Sequence, residues 1–384
     1  MAIICSTDYK SYPMGGMMSF IVDSLPYLKE SFEITLWGVS TIKKTQNYLI
    51  INGEKYPFKV FANVKVKNKV IPNMLRVLLG IINVKKSIVN EKYDVLYIHG
   101  IPLSFPFFKN NLTVVNHIHG MTNPFAMTAN RLARNPLSIL LYEKYRNWVV
   151  KKSNLILLAS DKQGHKQFSE RFTKSKEKIK YLPNFADTKI FKSGDRDRAR
   201  KLLNISSDHL LLVNTGRIGL QKDPILLIKS YIDFHSNYDS SSKLVIIGDG
   251  ELRDEVEKII KKNNLGENVI ITGKINRKEI NLWLNAADLY LYTSHANGFP
   301  ISLAESAICG LPIVTTDVTG VHDLVVNNHS GFLVKDRSPS EFSKGIFSAT
   351  QNKELLSENI LKIAEDYKPT KILNRLTKYI DKIH

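Results

Sequence analysis

The chain has few cysteines and no long apolar segment. Cys5 and Cys309 are the only cysteines among 384 residues. Neither has a partner at metal-ligand spacing, so the sequence argues against a disulfide framework and predicts two buried free thiols. No uninterrupted apolar run could span a bilayer. The first ten residues lack the basic and apolar segments of a secretory signal, so we expect a cytoplasmic protein.

Motifs of several other enzyme classes are also missing. No Asp-x-Asp sequence follows a candidate strand, and the acids do not cluster as metal ligands do. Neither a serine elbow nor a nucleophilic cysteine arrangement is present. The pair Gly15-Gly16 lacks the third glycine of a dinucleotide-binding fingerprint and has no acid at the ribose-binding distance, which disfavours a nicotinamide enzyme. We therefore expect chemistry that needs no metal ion or other cofactor.

The net charge of +18 is concentrated in the first half of the chain. Residues 1–190 hold 28 lysines and arginines against 12 acids, whereas the remainder holds 26 against 24. Such a basic region attracts an anionic membrane, nucleic acid or a pyrophosphate-linked substrate. A lysine-rich but functionally neutral surface is the alternative. Nucleic acid is disfavoured because no recognition signature is present, and the lysines within 65–69 and 174–180 alternate with other residues as on exposed strands.

Candidate strands and helices alternate along the chain. This alternation predicts an α/β fold with parallel sheets that are covered by helices on both faces. The length suits two domains of Rossmann size. A polar run after Pro183-Asn184 marks the boundary, so we expect domains at 1–185 and 186–367, with a terminal helical segment at 368–384. In the first domain we expect a helical stretch over Pro72 to Val89.

Residues 297–314 have the pattern of an anion-binding helix start between two buried strands. Gly298 and Pro300 turn the chain, and Ile301 to Cys309 can form a helix. The first N–H groups of such a helix, near Ile301 to Leu303, have no partner within it and face the turn. The stretch therefore predicts a phosphate-bearing ligand.

A second loop carries two cations five positions apart. Arg217 and Lys222 lie between a strand that ends near Asn214 and a helix that begins at Pro224. Positive charge at a helix start opposes the helix dipole, so mere surface decoration is disfavoured. Both side chains suit a diphosphate leaving group, because cations at the breaking bond stabilise the charge that develops there.

Three further turns follow candidate strands. Gly15-Gly16 precedes a helix and offers a place for phosphate, with a plain turn as the alternative. His119 ends another strand, where we expect it to contact sugar or acceptor, whereas His117 is expected to pack within the strand. No acidic or cysteine partner nearby supports a metal role for this pair. In the turn Gly248-Asp249-Gly250, we expect Asp249 to cap the following helix.

Together these residues resemble the retaining glycosyltransferases of family 4, which have the GT-B fold. The family's donor signature reads Glu-Gly-Phe-Pro, then a second Glu eight positions after the first, then Cys-Gly-x-Pro. Residues 297–312 keep this pattern except that Asn297 replaces the first acid, while Glu305 keeps the second. The family's other characteristic loops have matches at Arg217 and Lys222, Gly15-Gly16, His119 and Gly273-Lys274.

The resemblance implies two Rossmann-like domains with parallel sheets and a cleft between them, and it implies a role for each matching residue. Arg217 and Lys222 are implied to neutralise the donor diphosphate, and Glu305 to bind the ribose. Backbone amides from Phe299 to Leu303 are implied to orient the sugar beside Asn297. The implied catalytic residues are His119, Asn297, Arg217 and Lys222. The implied donor-binding residues are Gly15, Gly16, Arg217, Lys222, Gly248, Lys274, Phe299, Pro300, Ile301, Ser302, Leu303 and Glu305.

The implied reaction is a retaining, metal-independent transfer of a sugar from a nucleotide-diphosphate sugar, with a UDP-sugar favoured, to a hydroxyl. The implied acceptor is a glycan or a polyprenyl-diphosphate-linked oligosaccharide of a surface polysaccharide such as lipopolysaccharide. Basic helices over Pro72 to Val89 and Pro136 to Lys152 could rest on the anionic inner face of the cytoplasmic membrane, or simply cover the sheet. Because Asn297 brings no charge to a developing cation, a non-catalytic nucleotide-sugar-binding partner subunit is one alternative. A nucleotide-sugar epimerase on the same fold is another, although its acid-base residues are not evident.

Overall fold

The computed structural model describes residues 1–6, 8–9, 15–41, 47–64, 73–108, 112–120, 123, 135–295 and 298–383. They form two compact α/β units. The first comprises Met1–Ser160, Gly164–Pro183 and Thr370–His384, and the second comprises Asp161–Gln163 and Asn184–Pro369. Both ends of the chain therefore contribute to the first unit.

The first unit contains a sheet of eight described strands with helices around it. The strands are β1 (Ala2–Cys5), β2 (Thr35–Ser40), β3 (Tyr48–Ile51), β4 (Glu54–Asn63), β5 (Val95–His99), β6 (Thr113–Ile118), β7 (Leu155–Leu158) and β8 (Ile179–Tyr181). The helices up to residue 171 are α1 (Gly16–Leu28), α2 (Asn73–Asn83), α3 (Lys85–Asn90), α4 (Pro136–Lys152) and α5 (Lys162–Arg171). Short 3₁₀ turns lie at Ile101–Leu103, Phe105–Phe107 and Thr173–Lys178.

The described strands of this sheet have the order β3-β4-β2-β1-β5-β6-β7-β8. All neighbours are parallel except β3 and β4, which form an antiparallel hairpin. Parallel strands that are buried on both faces appear in the sequence as continuous apolar runs, as β1 and β7 do. The expected helical stretch over Pro72 to Val89 is formed from Asn73 onward by α2 and α3, and Pro72 lies outside the described residues. The two helices are separated only at Val84, where the φ of −90° and ψ of 0° leave the α-helical region.

The second unit contains a sheet of six described strands. The strands are β9 (Leu211–Thr215), β10 (Lys243–Ile247), β11 (Val269–Gly273), β12 (Leu289–Tyr292), β13 (Ile313–Thr316) and β14 (Gly331–Val334). The helices are α6 (Arg196–Leu203), α7 (Pro224–Asn237), α8 (Arg253–Lys262), α9 (Arg277–Ala286), α10 (Ile301–Ile308), α11 (Pro339–Gln351) and α12 (Lys353–Ala364). Short 3₁₀ turns lie at Leu220–Lys222 and Glu365–Tyr367.

This second sheet is parallel throughout its described strands, in the order β11-β10-β9-β12-β13-β14. Apolar clusters cover both of its faces, with Val213 and Tyr290 in one cluster and Leu212 and Leu291 in the other. Because all strands of a parallel sheet run in the same direction, their carboxyl ends lie along one edge of the sheet. The loops at that edge carry the candidate residues of the second unit.

The last helix, α13 (Pro369–Asp381), belongs to the first unit from Thr370 onward. It buries an apolar stripe that includes Ile372 and Leu376, and Arg375 lies over the ring of Tyr181 at 5.8 Å. Among the described helices, none combines the length and the apolar character that a membrane crossing requires.

Both cysteines are free and buried, so the expectation of two buried thiols is confirmed. Burial, and then the nearby charge of Glu305, raises the pKa of the Cys309 thiol to about 12. A thiol with such a pKa carries almost no thiolate at neutral pH and is a poor nucleophile.

Candidate functional site

The second unit reverses its strand order between β9 and β12. From β9 the sheet continues through β10 and β11, whereas from β12 it continues through β13 and β14 in the other direction. At such a reversal the connections diverge, and the crevice outside the carboxyl ends of the two strands is where open α/β sheets bind ligands. The segments that follow Thr215 and Tyr292 flank this crevice, and Arg217, Lys222 and α10 lie in them.

Glycine contacts shape the loop after β9. Gly216 has φ +145° and Gly248 has φ +148°, values that residues with a side chain rarely adopt. A Cβ on Gly248 would lie 1.8 Å from the Gly216 carbonyl oxygen, so the turn after β10 fits directly against this loop. The hydrogen bonds from Ile218 N to Asp249 O at 3.1 Å and from Leu252 N to Ile218 O at 3.0 Å hold the contact. Gly248 therefore shapes the loop, and a donor contact through Gly248 stays a prediction.

Arg217 projects from the loop into solvent. Its side chain is 75% exposed, and its Nε lies 3.6 Å from Glu251 Oε2. An exposed ion pair at this distance is weak and is readily exchanged for a stronger partner. The guanidinium can therefore turn to an incoming diphosphate and bind two of its oxygens.

Lys222 ends the short turn after the loop and points at β12. Its Nζ donates a hydrogen bond to Tyr292 Oη at 3.0 Å and lies 4.7 Å from the centre of the tyrosine ring. Tyr292 is buried at the end of a central strand, so the ring holds the ammonium against a rigid support. The contact places a cation from the β9 loop at the carboxyl end of β12.

Further polar contacts tie the loop to the end of β12. Thr293 Oγ1 donates to the carbonyl oxygen of Lys222 at 2.9 Å. Arg337 donates to Asp223 Oδ2 at 2.6 Å. The same guanidinium donates to the carbonyl oxygens of Thr293 at 2.8 Å and Ser294 at 3.0 Å. The backbone around Lys222 is thus fixed by side chains from two other parts of the unit.

Helix α10 begins directly after the Gly-Phe-Pro turn. Its N-cap residue is Pro300, and no side chain caps its first turn. The expectation of a Leu303 N–H without a partner is wrong, because this N–H donates to the Pro300 carbonyl oxygen at 3.2 Å, so anion binding at this uncapped start depends on the N–H groups before it. The ring of Phe299 stacks on Tyr367 at 5.0 Å, and its carbonyl oxygen accepts from Asn184 Nδ2 at 2.6 Å. These contacts fix the turn with Phe299 and Pro300 that leads into α10, and the other predicted donor-binding residues Ile301, Ser302 and Leu303 form the first turn of that helix.

Glu305 lies one turn farther along α10 and is buried. Arg277 Nη2, at the start of α9, lies 3.7 Å from Glu305 Oε1. The Arg277 guanidinium also lies over the ring of Phe191 at 5.2 Å. The carboxylate that the resemblance assigns to the ribose is therefore positioned from a neighbouring helix. Asn297 lies outside the described residues.

The turns after β10 and β11 contain Asp249 and Lys274, and the predicted role of Asp249 as a helix cap is wrong. Asp249 does not cap α8, because that helix begins at Arg253 without any side-chain cap. The Asp249 carboxylate instead accepts from the N–H of Gly250 at 2.9 Å and closes the glycine turn. Lys274 is exposed and follows Gly273, which forms a backbone bridge with Gly248. Lys274 therefore lies at the same edge of the sheet as the β9 loop.

The first unit has its own reversal of strand order, between β1 and β5. Gly15 is the N-cap residue of α1, with extended backbone and no side-chain cap. Gly15 and Gly16 are exposed, and among the described residues none but its chain neighbours comes within 4 Å of the place where a Cβ on Gly15 would be. This open space suits a phosphate, although the φ of −99° at Gly15 does not itself require glycine.

Three histidines meet at the carboxyl ends of β5 and β6. His99 opposes His117 in the parallel register, so the two side chains share one face of the sheet. His99 Nδ1 lies 2.8 Å from His119 Nε2, and the rings of His117 and His119 stack with centres 4.0 Å apart. His117 Nδ1 lies 2.7 Å from Tyr97 Oη. His117 is buried in the strand as expected, while the sugar or acceptor contact of His119 stays a prediction.

Burial and like charge both act on these imidazoles. Burial first, and then the charges of neighbouring histidines, lower the pKa of His99 and of His117 well below the ordinary value of 6.5. Both rings are therefore neutral near pH 7, and each neutral ring has one nitrogen that donates and one that accepts.

The structure places Arg217 and Lys222 after β9 and the start of α10 after the neighbouring strand β12 of the second unit. It also adds four residues for which the sequence analysis predicted no role, namely Tyr292, Arg277, Arg337 and His99. For Tyr292 a signal was present, because a polar ring at the end of an apolar strand lies at the edge where ligands bind. Nothing local in the sequence indicates the other three, because each acts on a partner that is distant along the chain.

The comparisons with known proteins agree with this architecture. Residues 195–366 match the family described as Glycosyl transferases group 1. A relative, the UDP-Gal:alpha-D-GlcNAc-diphosphoundecaprenol alpha-1,3-galactosyltransferase of Escherichia coli, is 24% identical over 333 residues, which cover 81% of this chain and 79% of the relative. Sucrose-phosphate synthase from Thermosynechococcus elongatus has a similar structure, with a TM-score of 0.83 and 14% identity over 100% of this chain and 98% of that one. HepE of Anabaena, in complex with UDP and glucose, has a TM-score of 0.74 and 18% identity over 100% of both chains.

Proposed function

Because the chain is a glycosyltransferase with the GT-B fold whose residues 195–366 belong to the group 1 glycosyl transferases, we propose that it transfers a sugar from a UDP-sugar to a polyprenyl-diphosphate-linked glycan. The transfer retains the anomeric configuration and serves cell-surface polysaccharide synthesis. The similar HepE structure contains UDP and glucose, and the name of the E. coli relative specifies a UDP-galactose donor and a diphosphoundecaprenol-linked acceptor.

One observation carries the donor half of the proposal. The cations of Arg217 and Lys222 lie in the segment after β9, and the uncapped start of α10 lies in the segment after the neighbouring strand β12. A UDP diphosphate in the crevice of the second unit meets two cations and the positive end of a helix. Glu305 is then within reach of the ribose hydroxyls as a hydrogen-bond acceptor.

The same groups stabilise the departing nucleotide. The bond between the sugar C1 and the donor phosphate oxygen breaks, and negative charge grows on UDP. Lys222 is held at the end of β12, and the exposed Arg217 turns to the diphosphate when the donor binds. Both cations and the amides at the start of α10 then stabilise the charge that grows on UDP. We propose that they act in place of a divalent cation, so that transfer needs no metal ion.

We propose an acceptor step that uses the donor phosphate as the base. The acceptor hydroxyl attacks C1 from the face that the phosphate leaves, its proton passes to a donor phosphate oxygen, and the configuration at C1 is retained. His119 and the amide of Asn297 orient the sugar hydroxyls. Neither residue has to change its charge in this scheme.

A basic, apolar face of the first unit suits an acceptor that is embedded in a membrane. On α4, Leu137 is 64% and Leu141 is 57% exposed. Lys144 and Lys151 are exposed on the same helix at positions that share the face of Leu137 and Leu141. Apolar side chains flanked by lysine bind the interface of anionic bilayers. We therefore propose peripheral contact with the inner face of the cytoplasmic membrane.

Vesicle sedimentation tests this contact. Binding to vesicles that contain phosphatidylglycerol is expected to fall several-fold in Leu141→Glu, while neutral phosphatidylcholine vesicles bind little of either protein. Leu355→Glu changes an exposed leucine of the second unit and is expected to bind as the parent does. Equal binding of Leu141→Glu and the parent contradicts the membrane proposal.

Asn297 favours a second candidate, a nucleotide-sugar-binding partner subunit without catalysis. UDP release from a panel of UDP-sugars, measured in EDTA with a lipid-linked glycan acceptor, distinguishes the two. Release that depends on the acceptor supports the transferase. If the parent releases no UDP and Asn297→Glu does, the parent is the binding subunit.

A further inference from the structure

The histidine cluster of the first unit consists of His99, His117 and His119, and it contains buried ring nitrogens that make no hydrogen bond to a described residue. His99 Nε2 and His117 Nε2 are buried, and neither makes a hydrogen bond to any described residue. Buried polar atoms normally have a hydrogen-bond partner. Two buried nitrogens of this kind in one cluster therefore indicate a site that binds a ligand through imidazole.

We propose that His99, His117 and His119 bind one divalent transition-metal ion, such as Zn²⁺, at the carboxyl ends of β5 and β6. One nitrogen of each histidine lies within 4.8 Å of the corresponding nitrogens of the other two. A tetrahedral zinc with bonds of about 2.1 Å holds its nitrogen ligands about 3.4 Å apart. Because a metal ion lies in the plane of each imidazole that binds it, the stacked rings of His117 and His119 must rotate apart to bind one ion.

The ligand set of the cluster suits a transition metal. Imidazole ligands suit zinc, copper, nickel and iron, so the cluster selects the transition metals over magnesium or calcium.

The surroundings of His117 resemble those of a metal ligand. Tyr97 Oη lies 2.7 Å from His117 Nδ1, and such a contact on one ring nitrogen fixes the orientation in which the other faces the metal. Phe20 packs edge-on against the His117 ring with centres 4.7 Å apart. The buried positions of Tyr97 and Phe20 keep the ring from rotating into solvent.

The consequence for transfer depends on the proposed function. His119 is the member of the cluster that we assign to the sugar, so an ion bound to His119 withdraws that side chain from the substrate. The metal is therefore an inhibitory ligand of the first unit, and transfer is fastest when a chelator is present.

Direct metal binding tests the inference without donor or acceptor. The untagged full chain, stripped with a chelator and dialysed, is titrated with Zn²⁺ in a calorimeter. We expect one equivalent to bind, and we expect binding at least tenfold weaker in His117→Gln and in His119→Ala. Tyr97→Phe keeps all three ligands and is expected to weaken binding by about 10-fold to 100-fold. Circular dichroism in EDTA verifies that each variant is folded.

His329→Ala is the matched control, because His329 is exposed in the second unit, and it is expected to bind Zn²⁺ as the parent does. The inference is overturned if the parent takes up no Zn²⁺, or if His119→Ala binds it as tightly as the parent. A parent that binds Zn²⁺ yet transfers no sugar in EDTA contradicts the transferase proposal alone, so the two failures are distinguishable.

Discussion

The Lys222 ammonium lies 3.0 Å from the Tyr292 hydroxyl and 4.7 Å from the centre of the same ring. Lys222 comes from the loop after β9, and Tyr292 is the last residue of β12. These two strands are neighbours at the reversal of strand order in the second sheet. The contact therefore joins the β9 loop to the end of β12 and positions the cation that we propose for the donor diphosphate.

Tyr292→Phe tests this positioning. The variant keeps the ring over which the ammonium lies and removes one hydrogen bond, whose net contribution is about 1 kcal/mol. We expect the dissociation constant for UDP-sugar to rise about fivefold with little change in thermal stability, as measured by calorimetry and melting. Tyr238→Phe, at a tyrosine whose ring is partly exposed, is the control. Unchanged affinity in Tyr292→Phe contradicts the positioning role.

Arg217→Ala tests the diphosphate clamp. Loss of a group that stabilises transition-state charge lowers the turnover number by about 100-fold or more, and we expect that loss here without unfolding, because the side chain is 75% exposed. Arg198→Ala removes an exposed arginine of α6 and is expected to retain parental rates. A folded Arg217→Ala variant that transfers sugar at the parental rate refutes the clamp.

A buried ion pair anchors α6 to the second sheet. Arg200 Nη2 lies 2.6 Å from Asp288 Oδ2, and both side chains are 2% exposed. Arg200→Met removes the buried positive charge that balances the Asp288 carboxylate. Removing one partner of a buried ion pair lowers the free energy of unfolding by about 3–5 kcal/mol. Arg196 pairs with the same carboxylate at 2.9 Å but is 37% exposed, so Arg196→Met is expected to cost at most about 1 kcal/mol. Urea unfolding that ranks the two variants equally contradicts this account.

The stability of the second unit should depend on pH through His322. Its ring nitrogens lie 2.7 Å from Asp161 and 2.7 Å from Asp317. Burial alone lowers the pKa of His322, but hydrogen bonds and charges from the two aspartates outweigh it and raise that pKa above 6.5.

A group whose pKa rises on folding stabilises the fold fully below its unfolded pKa, and this contribution is lost as the pH rises through the folded pKa. We therefore expect the urea midpoint to fall between pH 6.5 and mildly alkaline pH. His322→Gln should show a flatter dependence over the same window. If the urea midpoint of the parent protein stays constant as the pH rises through this window, the account of a protonated His322 between the two aspartates is contradicted.

Local patterns were sufficient for much of the fold. The expected bounds of α4, Pro136 to Lys152, match the structure residue for residue, because an Asn-Pro cap signal marks its start. The alternation of strands and helices was predictable because parallel strands such as β1 and β7 appear as short apolar runs. The break at Val84 was missed because neither glycine nor proline marks it. The prediction that Asp249 caps α8 was wrong because its carboxylate accepts a hydrogen bond from the Gly250 N–H within the glycine turn.

The site was less predictable than the fold. Arg217, Lys222 and the start of α10 could be named because each lies in a continuous motif. His99 could not, since its approach to His119 depends on the pairing of β5 with β6, and strand register is not encoded in either strand alone. The contacts of Arg277 with Glu305 and of Arg337 with Asp223 could not be predicted for the same reason. In each pair the two residues are distant along the chain, and strand pairing in the sheet brings their segments together.

Thermal unfolding with UDP-, GDP-, dTDP- and CMP-sugars tests the central claim most directly. A ligand at about a hundredfold its dissociation constant adds roughly 2.7 kcal/mol to the free energy of unfolding. The account predicts a higher melting temperature with UDP-sugars, and a smaller rise in Arg217→Ala than in Arg198→Ala. No rise with any of the four nucleotide classes would contradict the donor site in the second unit.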